Sequence, residues 1–212
     1  MVAINNQSKH WDRTWKDRIK PDRIEMNGGK FTVIMNFIWG KPEYFNAEKL
    51  DIGCGPALHS QILAQRIIGW RDTWTGIDLS ETAVKFASNA GLNAFFGNFL
   101  EYDFTKKYDA FILWDTLEHF ENPLKVAEKI HKLSRDGKPY VVGNVPLYLS
   151  PTDESVGAVE RPIFINIIHQ FLSECGCSKV WTRIYGICGL PYMLFEGFDP
   201  QKKAKDATIC SI

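Results

Sequence analysis

The chain has 212 residues, 45% of them hydrophobic, enough for a substantial core and better suited to one domain than to two. Lysine plus arginine equal aspartate plus glutamate at 25 each, so no global positive field draws the protein to nucleic acid or to an anionic membrane. The five cysteines, Cys54, Cys175, Cys177, Cys188 and Cys210, are odd in number and lack C-x-x-C pairs, which argues against a disulfide framework and against a zinc ribbon. Neither a signal-peptide run nor a stretch of roughly 20 apolar residues is visible, so a soluble, cytoplasmic protein is expected.

In chain order, the segment before residue 47 mixes aromatic and charged residues, breaks at Asn27-Gly28-Gly29 and resumes with Phe31, Ile34, Phe37 and Ile38 at helical spacing. Two short helices are expected there, the first presenting Trp11 and Trp15 on one face. From Lys49 short apolar runs alternate with amphipathic ones: a strand through Leu50-Asp51-Ile52, a helix over 58–69, a strand from Trp74 to Ile77, a helix over 81–90, and a strand at Ala94-Phe95-Phe96. That alternation is the mark of βαβ units around a parallel sheet. A strand at Ala110–Trp114, a helix from about Pro123 to Leu133, and a strand from Tyr140 to Gly143 continue it. A helix over 163–175 and strands at Cys177–Tyr185 and Tyr192–Phe198 complete the pattern, and the tail 199–212 is assigned no structure.

The most informative stretch is Asp51-Ile52-Gly53-Cys54-Gly55-Pro56-Ala57, where a strand ends and a helix is about to begin. Glycines there allow a sharp turn and a close approach of main chain to ligand. Asp78 ends the next strand, near the roughly 20-residue offset at which an acid takes ribose hydroxyls in nucleotide-binding α/β folds. A dinucleotide fingerprint would place a third glycine at Leu58, which weakens a nicotinamide reading.

With an acid two residues before the first glycine, Asp51–Gly55 resembles the first motif of class I S-adenosylmethionine-dependent methyltransferases, with Ala57 in place of its usual third glycine. Thr75–Ser80 resembles the second motif, which implies Asp78 on the ribose and Leu79 packed on adenine. Asn98 and Phe99 stand where the family reads the adenine edge, and Tyr108–His119, including Trp114, resembles the fourth strand and its exit loop. The resemblance is detailed from about 48 to 148. It implies a Rossmann-like α/β three-layer sandwich with a mostly parallel, seven-stranded sheet: a helical cap over 1–46, the cofactor-binding domain over 47–198, and the tail. It also implies S-adenosylmethionine as cofactor and S-adenosylhomocysteine as product.

The cofactor brings its own electrophile, so no strong catalytic motif is required. His119 is the candidate base for an acceptor hydroxyl or amine, with Asp115 a second candidate. If a helix began at Asp115, then Asp115, Glu118 and His119 would share one face, a possible divalent-metal set with His169 as a guessed fourth ligand. Asn144-Val145-Pro146-Leu147-Tyr148 reads as a loop at the substrate edge. A small-molecule acceptor is favoured over protein or nucleic acid. The competing readings are a non-catalytic cofactor-binding scaffold and an NAD-dependent oxidoreductase.

Overall fold

The computed structural model describes residues 2–19, 35–36, 46–147, 163–187 and 190–200. Of the second expected N-terminal helix only residues 35–36, which are helical, fall within these residues, and the tail beyond 200 lies outside them. Seven strands form one sheet: β1 Lys49–Ile52, β2 Trp74–Asp78, β3 Ala94–Phe96, β4 Ala110–Trp114, β5 Tyr140–Pro146, β6 Lys179–Ile187 and β7 Leu190–Phe198. Their order is β3-β2-β1-β4-β5-β7-β6. The first five strands run parallel, and β7 pairs antiparallel with both β5 and β6. The expected fold class is therefore the observed one.

Helices cover both faces. On one lie α2 Leu58–Arg66, the single turn α3 Trp70–Thr73 and α4 Glu81–Asn89, with Leu63, Trp70, Trp74, Ala87 and Leu92 sharing a buried cluster. On the other lie α5 Pro123–Leu133 and α6 Ile165–Glu174, whose Val126, Ile130, Ile168 and Phe171 pack on Leu50, Phe111, Leu113 and Val141. Each large side chain so buried contributes about 1.5–3 kcal/mol against the entropy of ordering it. The two clusters use alternate residues of the central strands: Phe111 and Leu113 face α5, while Ala110 and Ile112 face away. The sequence pattern predicts one helix over 58–69; α2 ends at Arg66, where Ile67 turns extended, and Gly69, at φ +79°, leads into the separate turn α3.

The connection from β3 to β4, residues 97–109, carries no helix. Aromatic side chains fill the space instead: Phe99, Phe104, Tyr108 and Phe111 form a chain with ring centroids 5.9, 6.0 and 6.0 Å apart. Lys129 of α5 pins this loop, its Nζ donating to the carbonyls of Leu100 (3.1 Å) and Tyr102 (2.7 Å).

The N-terminal helix α1, Val2–Arg18, is a single 17-residue element rather than a short one. It docks on the start of α4 from long range. Ser8 Oγ donates to the Leu79 carbonyl at 2.7 Å, and Asp12 Oδ1 accepts from Ser80 Oγ at 3.1 Å and from the Thr82 N–H at 2.8 Å. Ser80 itself caps α4 by accepting from the Ala83 N–H at 3.2 Å. Two side chains thus satisfy successive amides of the first turn of α4, one of them supplied by α1.

Candidate active site at the carboxyl edge of the sheet

The sheet order reverses direction between β1 and β4, and in open α/β sheets ligands occupy the crevice beyond the carboxyl ends of the strands at such a point. Gly53 and Gly55 lie there at φ +68° and +53°. A Cβ on Gly53 would fall 2.6 Å from Thr116 Cγ2, and one on Gly55 would fall 2.7 Å from Trp15 Cζ2. Both the left-handed backbone and the crowding require glycine. Ala57 also adopts φ +53° as the N-cap of α2, a conformation the missing third glycine would have held without strain.

Asp78 ties the turn to β2. Its Oδ2 accepts from the Gly55 N–H at 2.8 Å and its Oδ1 from the Ser80 N–H at 2.8 Å. Burial pushes this carboxyl up to about 6, against the opposing pull of the Ser80, Gly55 and Leu79 amides. Each carboxylate oxygen accepts more than one hydrogen bond, so capacity for a ribose hydroxyl is left. Asp51, 5% exposed on the adjacent strand, is pushed up to about 8 by burial; the Trp74 indole opposes the rise and Asp78 adds to it. Burial raises the pKa of the Cys54 thiol, with Asp78 and Asp51 adding to the rise, and the thiol donates to the Gly55 carbonyl at 3.5 Å.

Other expected residues are distributed unevenly. Leu79 is half-buried beside α1. Asn98 follows β3, its Oδ1 accepting from the Leu100 N–H at 3.0 Å, which leaves one lone pair of that oxygen for a ligand. The Phe99 ring is 3% exposed between Phe104 and Phe120, so it is a core residue and only its main chain belongs to the edge. Trp114 ends β4, with the His59 ring 6.5 Å away at the start of α2.

The helix from Asp115 on which a metal set would depend does not form. Asp115 takes φ +48° and is followed by a single 3-10 turn, Leu117–His119, so Asp115, Glu118 and His119 share no helix face. Among the described residues no group of three His, Cys, Asp or Glu could hold a metal ion, and His169 is exposed on α6. Glu118 is 2% exposed, while the half-buried His119 ring meets Trp11 edge-on with centroids 4.6 Å apart. The expected loop at Asn144 is also corrected: β5 continues through Pro146, which pairs with Tyr192 of β7 at the strand's last position, where a missing N–H is tolerated.

Ser8, Asp12, His59 and Thr116 reach this edge without a sequence signal, because their contacts depend on where distant elements dock. Trp15 was foreseen as a helix-face residue, but its packing against Gly55 was not.

Residues 50–137 match the family model described as a methyltransferase domain. The fold over almost the whole chain is that of magnesium protoporphyrin IX methyltransferase (ChlM) from Synechocystis PCC 6803, solved with S-adenosylhomocysteine: 15% identity, TM-score 0.68, covering 91% of this chain and 97% of that one. Residues 50–137 thus resemble a methyltransferase domain, set in a fold that S-adenosylmethionine-dependent methyltransferases share. The N-methyltransferase NodS from Bradyrhizobium japonicum WM9 shares the methyltransferase fold at 12% identity and a TM-score of 0.59, covering 90% of this chain and 99% of that one. So does a possible histamine N-methyltransferase from Thermotoga maritima, at 12% identity and a TM-score of 0.55, covering 80% and 93%. No curated protein sequence matches this chain significantly. The glycine cradle, with Asp78 bound to its Gly55 amide, fits the cofactor of the family.

Proposed function

We propose that this chain is a class I S-adenosylmethionine-dependent methyltransferase that carries a methyl group from S-adenosylmethionine to an oxygen or nitrogen atom of a small molecule. Gly53, Cys54 and Gly55 hold the amino-acid end of the cofactor with Asp51 behind them. Asp78 takes the ribose, Leu79 packs on adenine, Asn98 and the main chain of Phe99 meet the adenine edge, and Trp114 closes the β4 side. The cofactor supplies an electrophilic methyl on a positively charged sulfur, and the chain's own work is to orient the acceptor and receive its proton. His119 receives that proton.

The observation that supports a small acceptor is the path of α1 across the site. Trp15 packs against Gly55, Trp11 lies on His119, and Ser8 and Asp12 bind residues 79–82. A helix fastened over the crevice at several points favours an acceptor that fits beneath it over a macromolecular surface. The formal charge of zero adds no attraction for nucleic acid. Among the described residues no helix is long and apolar enough to cross a membrane.

The test is transfer of radiolabelled methyl from S-adenosylmethionine into a fractionated cell extract. Label is expected in the filtrate that passes a small-molecule cutoff and not in precipitated protein or nucleic acid. Label confined to either precipitate contradicts the proposal.

A further inference from the structure

Asn144 has no solvent exposure and lies inside the sheet on β5, between β4 and β7. A primary amide in such a place is costly unless it is hydrogen-bonded, so its partners indicate its purpose. Its Nδ2 donates to Asp115 Oδ1 at 2.9 Å, and its Oδ1 accepts from the Asp115 N–H at 3.2 Å. Its main-chain carbonyl accepts from the same N–H at 3.3 Å. All three contacts converge on Asp115, whose backbone at φ +48° is one that few residues other than glycine, asparagine and aspartate adopt.

Strain of this sort persists only where surrounding contacts enforce it, and such places cluster at functional sites. Asp115 stands at the crevice itself, since the next residue, Thr116, fills the space that a Cβ on Gly53 would need. Tyr185 of β6 faces the same pair. Burial raises its phenol, with the Asp115 carboxylate adding to the rise and the Asn144 side chain opposing it.

We propose that Asn144 is a positioning residue that holds the Asp115 carboxylate toward the sulfur of the cofactor, so that the protein distinguishes the positively charged donor from its neutral, demethylated product. The inference rests on the cofactor reading above. A carboxylate fixed in a partly buried crevice attracts a sulfonium and gains nothing from a thioether. The same preference helps expel product after transfer.

The test is calorimetric titration of S-adenosylmethionine and S-adenosylhomocysteine into the wild type, Asn144→Ala, Asp115→Asn and the double variant. Each single substitution is expected to lower affinity for S-adenosylmethionine about tenfold relative to S-adenosylhomocysteine. The double variant should show no more than either alone, because Asn144 acts through Asp115. Equal losses for the two ligands, or no loss, would mean that Asn144 serves only packing and overturns the proposal. Should Asn144→Ala not fold, an unchanged ratio in Asp115→Asn overturns it alone. A wild type that binds neither ligand refutes the cofactor reading as well; binding of both with an unmoved ratio refutes only the positioning role.

Discussion

Gly55 carries two constraints at one Cα: a backbone at φ +53° and a Trp15 ring 2.7 Å from where a Cβ would stand. Gly55→Ala should cost about 1–2 kcal/mol for the left-handed residue alone. It should also displace Trp15, so affinity for S-adenosylhomocysteine falls together with the melting temperature; retained affinity would place the cofactor elsewhere. His119 makes a different demand. Replaced by Gln, it should lower kcat about 100-fold on the acceptor that takes the label, as loss of a general base does, while cofactor affinity changes little. Steady-state kinetics beside a binding titration separates these, and a shift in cofactor affinity alone would make His119 a packing partner of Trp11.

The docking of α1 on α4 is an energetic unit. Burial would raise the Asp12 carboxyl, but the Lys16 ammonium at 2.7 Å and the Thr82 and Ser80 donors outweigh it and hold it well below the usual carboxylate range. A negative charge at the first turn of α4 is favoured by the helix dipole and the open amides. Asp12→Ala should therefore cost about 1 kcal/mol, the usual worth of a cap. Because residues 78–80 adjoin that cap, S-adenosylhomocysteine affinity should fall too, which thermal melts with and without ligand would show. No periodicity announces this contact. Trp11 and Trp15 share a helix face by their spacing, but Asp12 meets Thr82 across 70 residues of chain, and only docking brings them together.

At the scale of the molecule, the parallel core was legible because each strand from Leu50 to Val142 reads as an apolar run bounded by turn residues, and a glycine pair with a downstream acid is a local signature. The exit of β4 was not legible. Propensity at Asp115–His119 allows a helix, but the Asn144 amide from the neighbouring strand locks Asp115 out of helical conformation. Burial of Lys49 also escaped pattern reading. Fully enclosed in β1, its Nζ donates to the Ala47 carbonyl at 2.7 Å and Thr73 Oγ1 at 2.6 Å and lies 4.5 Å from the Trp70 ring centroid.

These buried groups predict how stability follows pH. Burial lowers Lys49 to about 7, so above that the folded chain has released a proton which the unfolded chain keeps until about 10.4. Its contribution to stability therefore rises with pH across that window. Asp78 and Asp51, raised to about 6 and about 8, act oppositely: the folded chain keeps protons that the unfolded chain releases near 4, and their contribution falls as pH climbs through those values. Lys49→Met should remove the alkaline rise expected in wild-type melting temperatures between about pH 7 and 10. An unchanged pH profile would show that Lys49 titrates normally.

The central claim is that the turn at Gly53–Gly55 and the carboxylate of Asp78 together form the cofactor site. Calorimetric titration of S-adenosylhomocysteine into the wild type and into Asp78→Asn tests it most directly. One saturable site per chain is expected, tightening as pH rises through about 6, where Asp78 becomes a carboxylate, and severely weakened in the variant, which loses that pH dependence. Absence of binding by the folded wild type, or equal binding by the variant at every pH, would contradict it.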